Sequence, residues 1–95
     1  MRKIKAEIIK YSKMLNSKKL SALRSGNISI RYQDGFLITP SGKKYSALKN
    51  NDIVFVSLNG YFDKKKGTPS SEWKFHQDIY RNKKEAKAIV HAHST

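Results

Sequence analysis

Ninety-five residues can close around one small hydrophobic core and leave no room for a multidomain enzyme. Twenty Lys and Arg against seven Asp and Glu give a formal charge of +13, which favours polyanions or anionic small molecules without choosing between them. Ten aromatic residues and a hydrophobic share of 38% exclude a wholly disordered basic tail, and the lack of cysteine excludes disulfide scaffolds, thiolate metal sites and cysteine nucleophiles.

Ile4, Ile8, Tyr11 and Leu15 recur at helical spacing with lysines between them, so the spacing predicts an amphipathic helix over residues 2–15 with a basic outer face. From Asn27 the period becomes two. Ile28, Ile30 and Tyr32 alternate with Ser29 and Arg31, Asp34-Gly35 signals a hairpin turn, and a second strand runs from Phe36 to Thr39 and stops at Pro40. Asp52 to Leu58 reads as a buried strand, turned at Asn59-Gly60 into a short partner around Tyr61 and Phe62. Ser70 or Ser71 stands where an N-cap belongs, opening a second helix that carries Trp73, His76, Ile79 and Tyr80 and ends near Asn82. Residues 88–93 form a last strand. The order predicts an α+β fold, with helices packed on a largely antiparallel sheet, and its final strand has nothing after it to cover it, as in a piece of something longer.

The longest apolar run, Ile53-Val54-Phe55-Val56, is far short of the roughly 20 residues of a membrane span. The basic N-terminus is followed by Glu7, Lys10 and Lys13 rather than an apolar stretch, so the expected location is the cytoplasm, with no membrane partner.

His91-Ala92-His93 on a strand puts both imidazoles on one face, a geometry suited to a divalent ion such as Zn²⁺, although a catalytic zinc site ordinarily takes three protein ligands. Alternatively, one histidine packs and the other faces solvent. Glu72, at the start of the second helix, suits a ligand, a base, or a residue that only complements the helix dipole. His76 lies four residues further along and forms a rival Glu–His pair, but its place beside Trp73 and Tyr80 favours a packed, hydrogen-bonded histidine. Ser25-Gly26-Asn27, Thr39-Pro40-Ser41-Gly42 and Thr68-Pro69-Ser70-Ser71 each offer hydroxyls, an amide or backbone N–H groups to an anion, for which phosphate is the natural choice. Singly, each is ordinary turn and cap chemistry.

Gly26-Asn27-Ile28-Ser29, Leu37-Ile38-Thr39-Pro40-Ser41-Gly42, Pro69-Ser70-Ser71-Glu72-Trp73 with Phe75-His76 and Tyr80, and Ala88-Ile89-Val90-His91-Ala92-His93 together resemble the class II aldolase/adducin family in order and spacing. The likeness runs over nearly the whole chain, and it is closest to the family's sugar-phosphate aldolases. The resemblance implies an α/β/α domain, here an incomplete one: residues 1–95 correspond to its N-terminal portion. It implies Zn²⁺ bound by Glu72, His91 and His93, with Glu72 also the catalytic acid or base, and a substrate phosphate held by Asn27, Ser41, Gly42, Ser70 and Ser71. The implied reaction is retro-aldol cleavage of a ketose phosphate to dihydroxyacetone phosphate and an aldehyde, in a homo-oligomer, a tetramer for full-length members. The family's third zinc histidine and a catalytic tyrosine correspond to positions beyond Thr95, so this 95-residue chain is expected to be inactive alone.

The alternative within the resemblance is a non-catalytic, adducin-like interaction module, against which Glu72, His91 and His93 argue together. Specific nucleic-acid binding is not expected. The lysines spread along the first helix and the Lys64-Lys65-Lys66 and Lys83-Lys84 loops as a generally basic surface, without a recognition motif.

Overall fold

Side-chain alternation along the strands decides the architecture, because each strand sends successive residues to opposite faces of the sheet. The structure, a computed structural model, describes residues 2–17, 27–41 and 47–91. Helix α1 spans Arg2–Ser17 and helix α2 spans Trp73–Asn82; the strands are β1 (Asn27–Tyr32), β2 (Gly35–Ile38), β3 (Val54–Ser57) and β4 (Ala88–His91). They form a four-stranded sheet in the order β3-β2-β1-β4, with every pair antiparallel. Ile8, Ile28, Leu37 and Ile53 are buried on the side covered by α1, whereas Phe36, Ile38, Val54, Val56 and Tyr80 are buried on the side covered by α2. The expected α+β fold with helices on an antiparallel sheet is therefore the one found, as a helix–sheet–helix sandwich. No helix among the described residues is long and apolar enough to cross a membrane.

Local details depart from the sequence reading. Along α1 the buried line is Ile8 and Ser12, with Ile4 half-buried, while Tyr11 is 49% exposed. Positions four apart follow the helical stripe more closely here than the step to Tyr11, whose ring sits at its edge. The β1–β2 turn is Gln33-Asp34 rather than Asp34-Gly35, since Tyr32 pairs with Gly35 and Gln33 takes the left-handed φ of 52°. Gly35 serves a different purpose: a Cβ there would run into the Val56 carbonyl of β3. β3 is shorter than expected because Asn50–Asp52 forms a 3-10 turn before it, the Asp52 carboxylate accepting from the Lys49 N–H at 2.8 Å.

The expected second hairpin is absent. Ser57 N–H bonds the Tyr61 carbonyl at 2.9 Å and closes a tight loop, after which Phe62 packs edge-on against Trp73 at 5.8 Å between ring centres. Helix α2 thus takes up Phe62, while Tyr61 is left exposed. The same helix is capped by Glu72 without a side-chain bond, not by Ser70 or Ser71. Ser70 acts one step earlier: its hydroxyl accepts from the Glu72 N–H at 3.3 Å, while its own N–H bonds the Thr39 carbonyl at 2.9 Å.

Candidate functional site

Four segments meet at one end of the sheet. An antiparallel bridge joins Pro40 to Pro69, flanked by hydrogen bonds from Ser41 N–H to the Thr68 carbonyl at 3.0 Å and from Ser70 N–H to the Thr39 carbonyl. Thr39 is tied in turn to β1, its N–H donating to the Ile28 carbonyl at 3.1 Å and its hydroxyl accepting from the Ile28 N–H at 3.3 Å. The polar stretches around Asn27, Ser41 and Ser70 are therefore neighbours. The same bonds use the backbone N–H groups of Ser41 and Ser70, so these residues offer an anion their hydroxyls rather than their amides. Ser71 is exposed beside them, and Gly42 and the Ser25-Gly26 pair lie outside the described residues.

The fourth segment is β4. Its register sets His91 opposite Asn27, which brings the His91 ring to the start of α2. There the imidazole Nδ1 donates to the Glu72 carboxylate, with the two side chains 29% and 30% exposed. Phe75, one turn into α2, lies 4.7 Å from the His91 ring and tilted by 32°, an apolar wall on one side of the pair. The second oxygen-directed contact to Glu72 comes from Asn27, whose side-chain N–H₂ donates to Oε2 at 3.3 Å.

Behind this rim the site continues as buried polar side chains. Asn27 Oδ1 accepts from His76 Nε2, Ser29 Oγ bonds His76 Nδ1 at 2.6 Å, and Tyr80 OH bonds Ser29 Oγ at 2.8 Å. His76 is fully buried, and that burial, with His91 nearby, lowers its pKa to about 4 despite the opposing pull of Glu72. It is neutral at pH 7. Burial likewise pushes the Tyr80 phenol up to about 12, with Ser29 and Arg31 opposing. Arg31 sits 4.9 Å over the Tyr80 ring and donates to the Tyr80 and Ala86 carbonyls, both at 2.8 Å.

The site thus brings Asn27, Glu72 and His91 into direct contact, and it sets Ser41, Ser70 and Ser71 on the adjoining loops. His93 lies outside the described residues, and among the described residues no group of three metal-ligating side chains is found. A carboxylate oxygen and an imidazole nitrogen are nonetheless the donor atoms that Zn²⁺ takes, so Glu72 and His91 fit a zinc ion as two ligands of a set. The rival Glu72–His76 metal pair is not supported, because both ring nitrogens of His76 are engaged by Asn27 and Ser29. Sequence reasoning passed over Ser29 and Tyr80. Their signal was present as Asn27 and Ser29 at strand spacing facing Glu72, His76 and Tyr80 at i, i+4 and i+8.

The chain is 50% identical over 70 residues to an L-fuculose phosphate aldolase of Haemophilus influenzae, a stretch that is 74% of this chain and 32% of that enzyme. It is 40% identical over 92 residues to a 5-methylthioribulose-1-phosphate/5-deoxyribulose-1-phosphate aldolase of Escherichia coli, covering 97% of this chain and 43% of the relative. A solved L-fuculose 1-phosphate aldolase superposes with a TM-score of 0.92 at 36% identity, over 100% of this chain and 46% of that one. The chain spans less than half the length of each. Residues 6–95 match the Class II Aldolase and Adducin N-terminal domain, and with four motifs in register and the fold in common, the chain belongs to the class II aldolase and adducin family.

Proposed function

We propose that residues 1–95 form the N-terminal portion of a zinc-dependent sugar-phosphate aldolase domain of the cytoplasm, working in a homo-oligomer. The observation that carries this reading is the contact of Glu72 with His91 beside the joined Thr39–Ser41 and Thr68–Ser71 segments. A metal-ligating and proton-carrying pair next to a hydroxyl-lined rim is what cleavage of a phosphorylated ketose needs. The sugar-phosphate names of the relatives support the same substrate class.

In this reading Glu72, His91 and His93 would hold Zn²⁺, which as a Lewis acid supplies polarisation of the ketose carbonyl. The protein's own groups do the rest. Ser41, Gly42, Ser70 and Ser71 anchor the phosphate, the positive end of α2 favours the same charge, and Asn27, expected from the family resemblance to join them, is buried with its amide engaged by Glu72 and His76 and serves the carboxylate instead. Anchoring at a distance fixes the carbon chain over Glu72, so that the carboxylate is within reach of the reacting proton. Cleavage breaks the C3–C4 bond as the Glu72 carboxylate takes the proton of the C4 hydroxyl, leaving an aldehyde, an enediolate and a protonated Glu72. A proton delivered to C3 by Glu72 then completes dihydroxyacetone phosphate, so that protons lost and gained balance.

Calorimetric titration of the tag-free chain with Zn²⁺ tests the site. One ion is expected per chain, with binding lost in Glu72→Ala and in the double variant His91→Ala with His93→Ala. Binding unchanged in these variants, or no binding in the parent chain, would overturn the metal reading.

A further inference from the structure

The buried polar side chains between β1 and α2 stand where a helix lying on a sheet ordinarily packs apolar groups. Asn27 and Ser29 share one face of β1, and Glu72, His76 and Tyr80 form one stripe of α2, so the two rows interlock: Glu72 with Asn27, Asn27 with His76, His76 with Ser29, Ser29 with Tyr80. Asn27, Ser29, His76 and Tyr80 are all at most 1% exposed. Burying four polar side chains together is costly unless each finds a partner with the correct donor sense.

The donor sense follows by elimination from Glu72. A carboxylate only accepts, so the Asn27 side chain must present its N–H₂ there and its Oδ1 to His76. His76 must then carry its hydrogen on Nε2, which leaves Nδ1 bare to accept the Ser29 hydroxyl. With its hydrogen so used, Ser29 accepts from Tyr80 OH. Every bond in the row donates towards Glu72. Reversing Asn27 would set its carbonyl oxygen against the carboxylate, a repulsion that no change of the His76 tautomer relieves.

We infer that His76 is a positioning residue, which with Ser29 and Tyr80 locks the Asn27 amide so that its N–H₂ faces and orients the Glu72 carboxylate. The inference rests on Glu72 being the working carboxylate of the proposed site. His76 touches neither substrate nor metal; it acts through Asn27. Outer partners of this kind set the orientation of a ligating or proton-carrying group, and their loss typically weakens metal affinity 10- to 100-fold.

The test combines ring ¹⁵N and side-chain amide NMR with Zn²⁺ titration of the 95-residue chain, its His76→Gln and His76→Phe variants, and Ser29→Ala in case His76→Phe does not fold. In the parent chain the His76 ring is expected as the neutral Nε2–H form, with the two Asn27 amide protons resolved and slow to exchange. His76→Gln, which keeps a donor towards Asn27, should retain that amide signature, and His76→Phe should lose it while the fold persists. Ser29→Ala should leave His76 in the Nε2–H form, because Asn27 Oδ1 still accepts from it, and a switch to the Nδ1–H form there would overturn the inference. Zinc affinity should fall about 10- to 100-fold in His76→Phe and return to within about threefold in His76→Gln. An Nδ1–H form in the parent chain, or an unchanged Asn27 amide in folded His76→Phe, overturns the inference. Lack of zinc binding by the parent chain overturns the metal reading alone, because the amide and tautomer signals are read without metal.

Discussion

Both faces of the sheet carry a buried layer, and the two layers are chemically unlike. Against α1, Ile8, Ile28, Leu37 and Ile53 make an apolar layer beside Ser12, a fully buried residue whose hydroxyl has no hydrogen-bond partner among the described residues. Against α2, Phe36, Ile38, Val54 and Val56 fill one half of the layer, and Asn27, Ser29 and His76, each hydrogen-bonded, fill the half nearest β4. The α1 face does what burial alone requires. The α2 face gives up apolar packing at the point where β4 delivers His91 to Glu72, which is the place of the proposed site.

Substitutions on the two faces should separate these roles. Leu37→Ala, on the α1 face, should cost about 2–5 kcal/mol in urea denaturation, a large part of what a small domain possesses, without changing the zinc affinity of the folded fraction. A normal zinc affinity in Leu37→Ala with reduced affinity in His76→Phe sharpens the contrast; equal losses break it. On the α2 face, Ser29→Ala strips partners from His76 Nδ1 and Tyr80 OH and should cost about 1–3 kcal/mol.

Acid should act through the α2 face as well. The folded-state pKa of His76, about 4, lies below its ordinary 6.5, so the unfolded chain binds the proton more readily. Its contribution to stability is full above pH 6.5 and is lost as pH falls towards 4. Between about pH 7.5 and pH 5 that loss amounts to about 2 kcal/mol, measurable by urea denaturation in chelator and absent from His76→Gln. Glu72 and His91 are the charged neighbours that act on His76 from this region. The smallest effect belongs to Ser12→Ala, which removes an unpartnered buried hydroxyl and should be neutral or stabilising by up to about 1 kcal/mol. A loss as large as that of Ser29→Ala would mean the two faces treat buried hydroxyls alike.

Much of this contrast was legible in the sequence. Period-two alternation from Ile28 to Tyr32 and helical spacing in both helices placed the layers correctly, because these patterns report which face is buried. What tertiary contacts decide was not legible. Gly35 resembles a turn residue but is required by the approach of the Val56 carbonyl, and Asn59-Gly60 resembles a hairpin turn but leads Phe62 to Trp73. Glu72, Asn27 and His91 gained meaning only together, through the family's motifs, since each has an ordinary reading alone. The polar row behind them was visible as spacing on two separate elements, yet only the packing of β1 against α2 shows which side chains meet.

The most direct test of the account is X-ray absorption at the zinc edge of the 95-residue chain loaded with one equivalent of Zn²⁺. Two imidazole nitrogens and a carboxylate oxygen are expected at about 2.0–2.2 Å, with one imidazole lost in His91→Ala and the carboxylate lost in Glu72→Ala. A coordination shell without imidazole, or one identical in the parent chain and both variants, would contradict it.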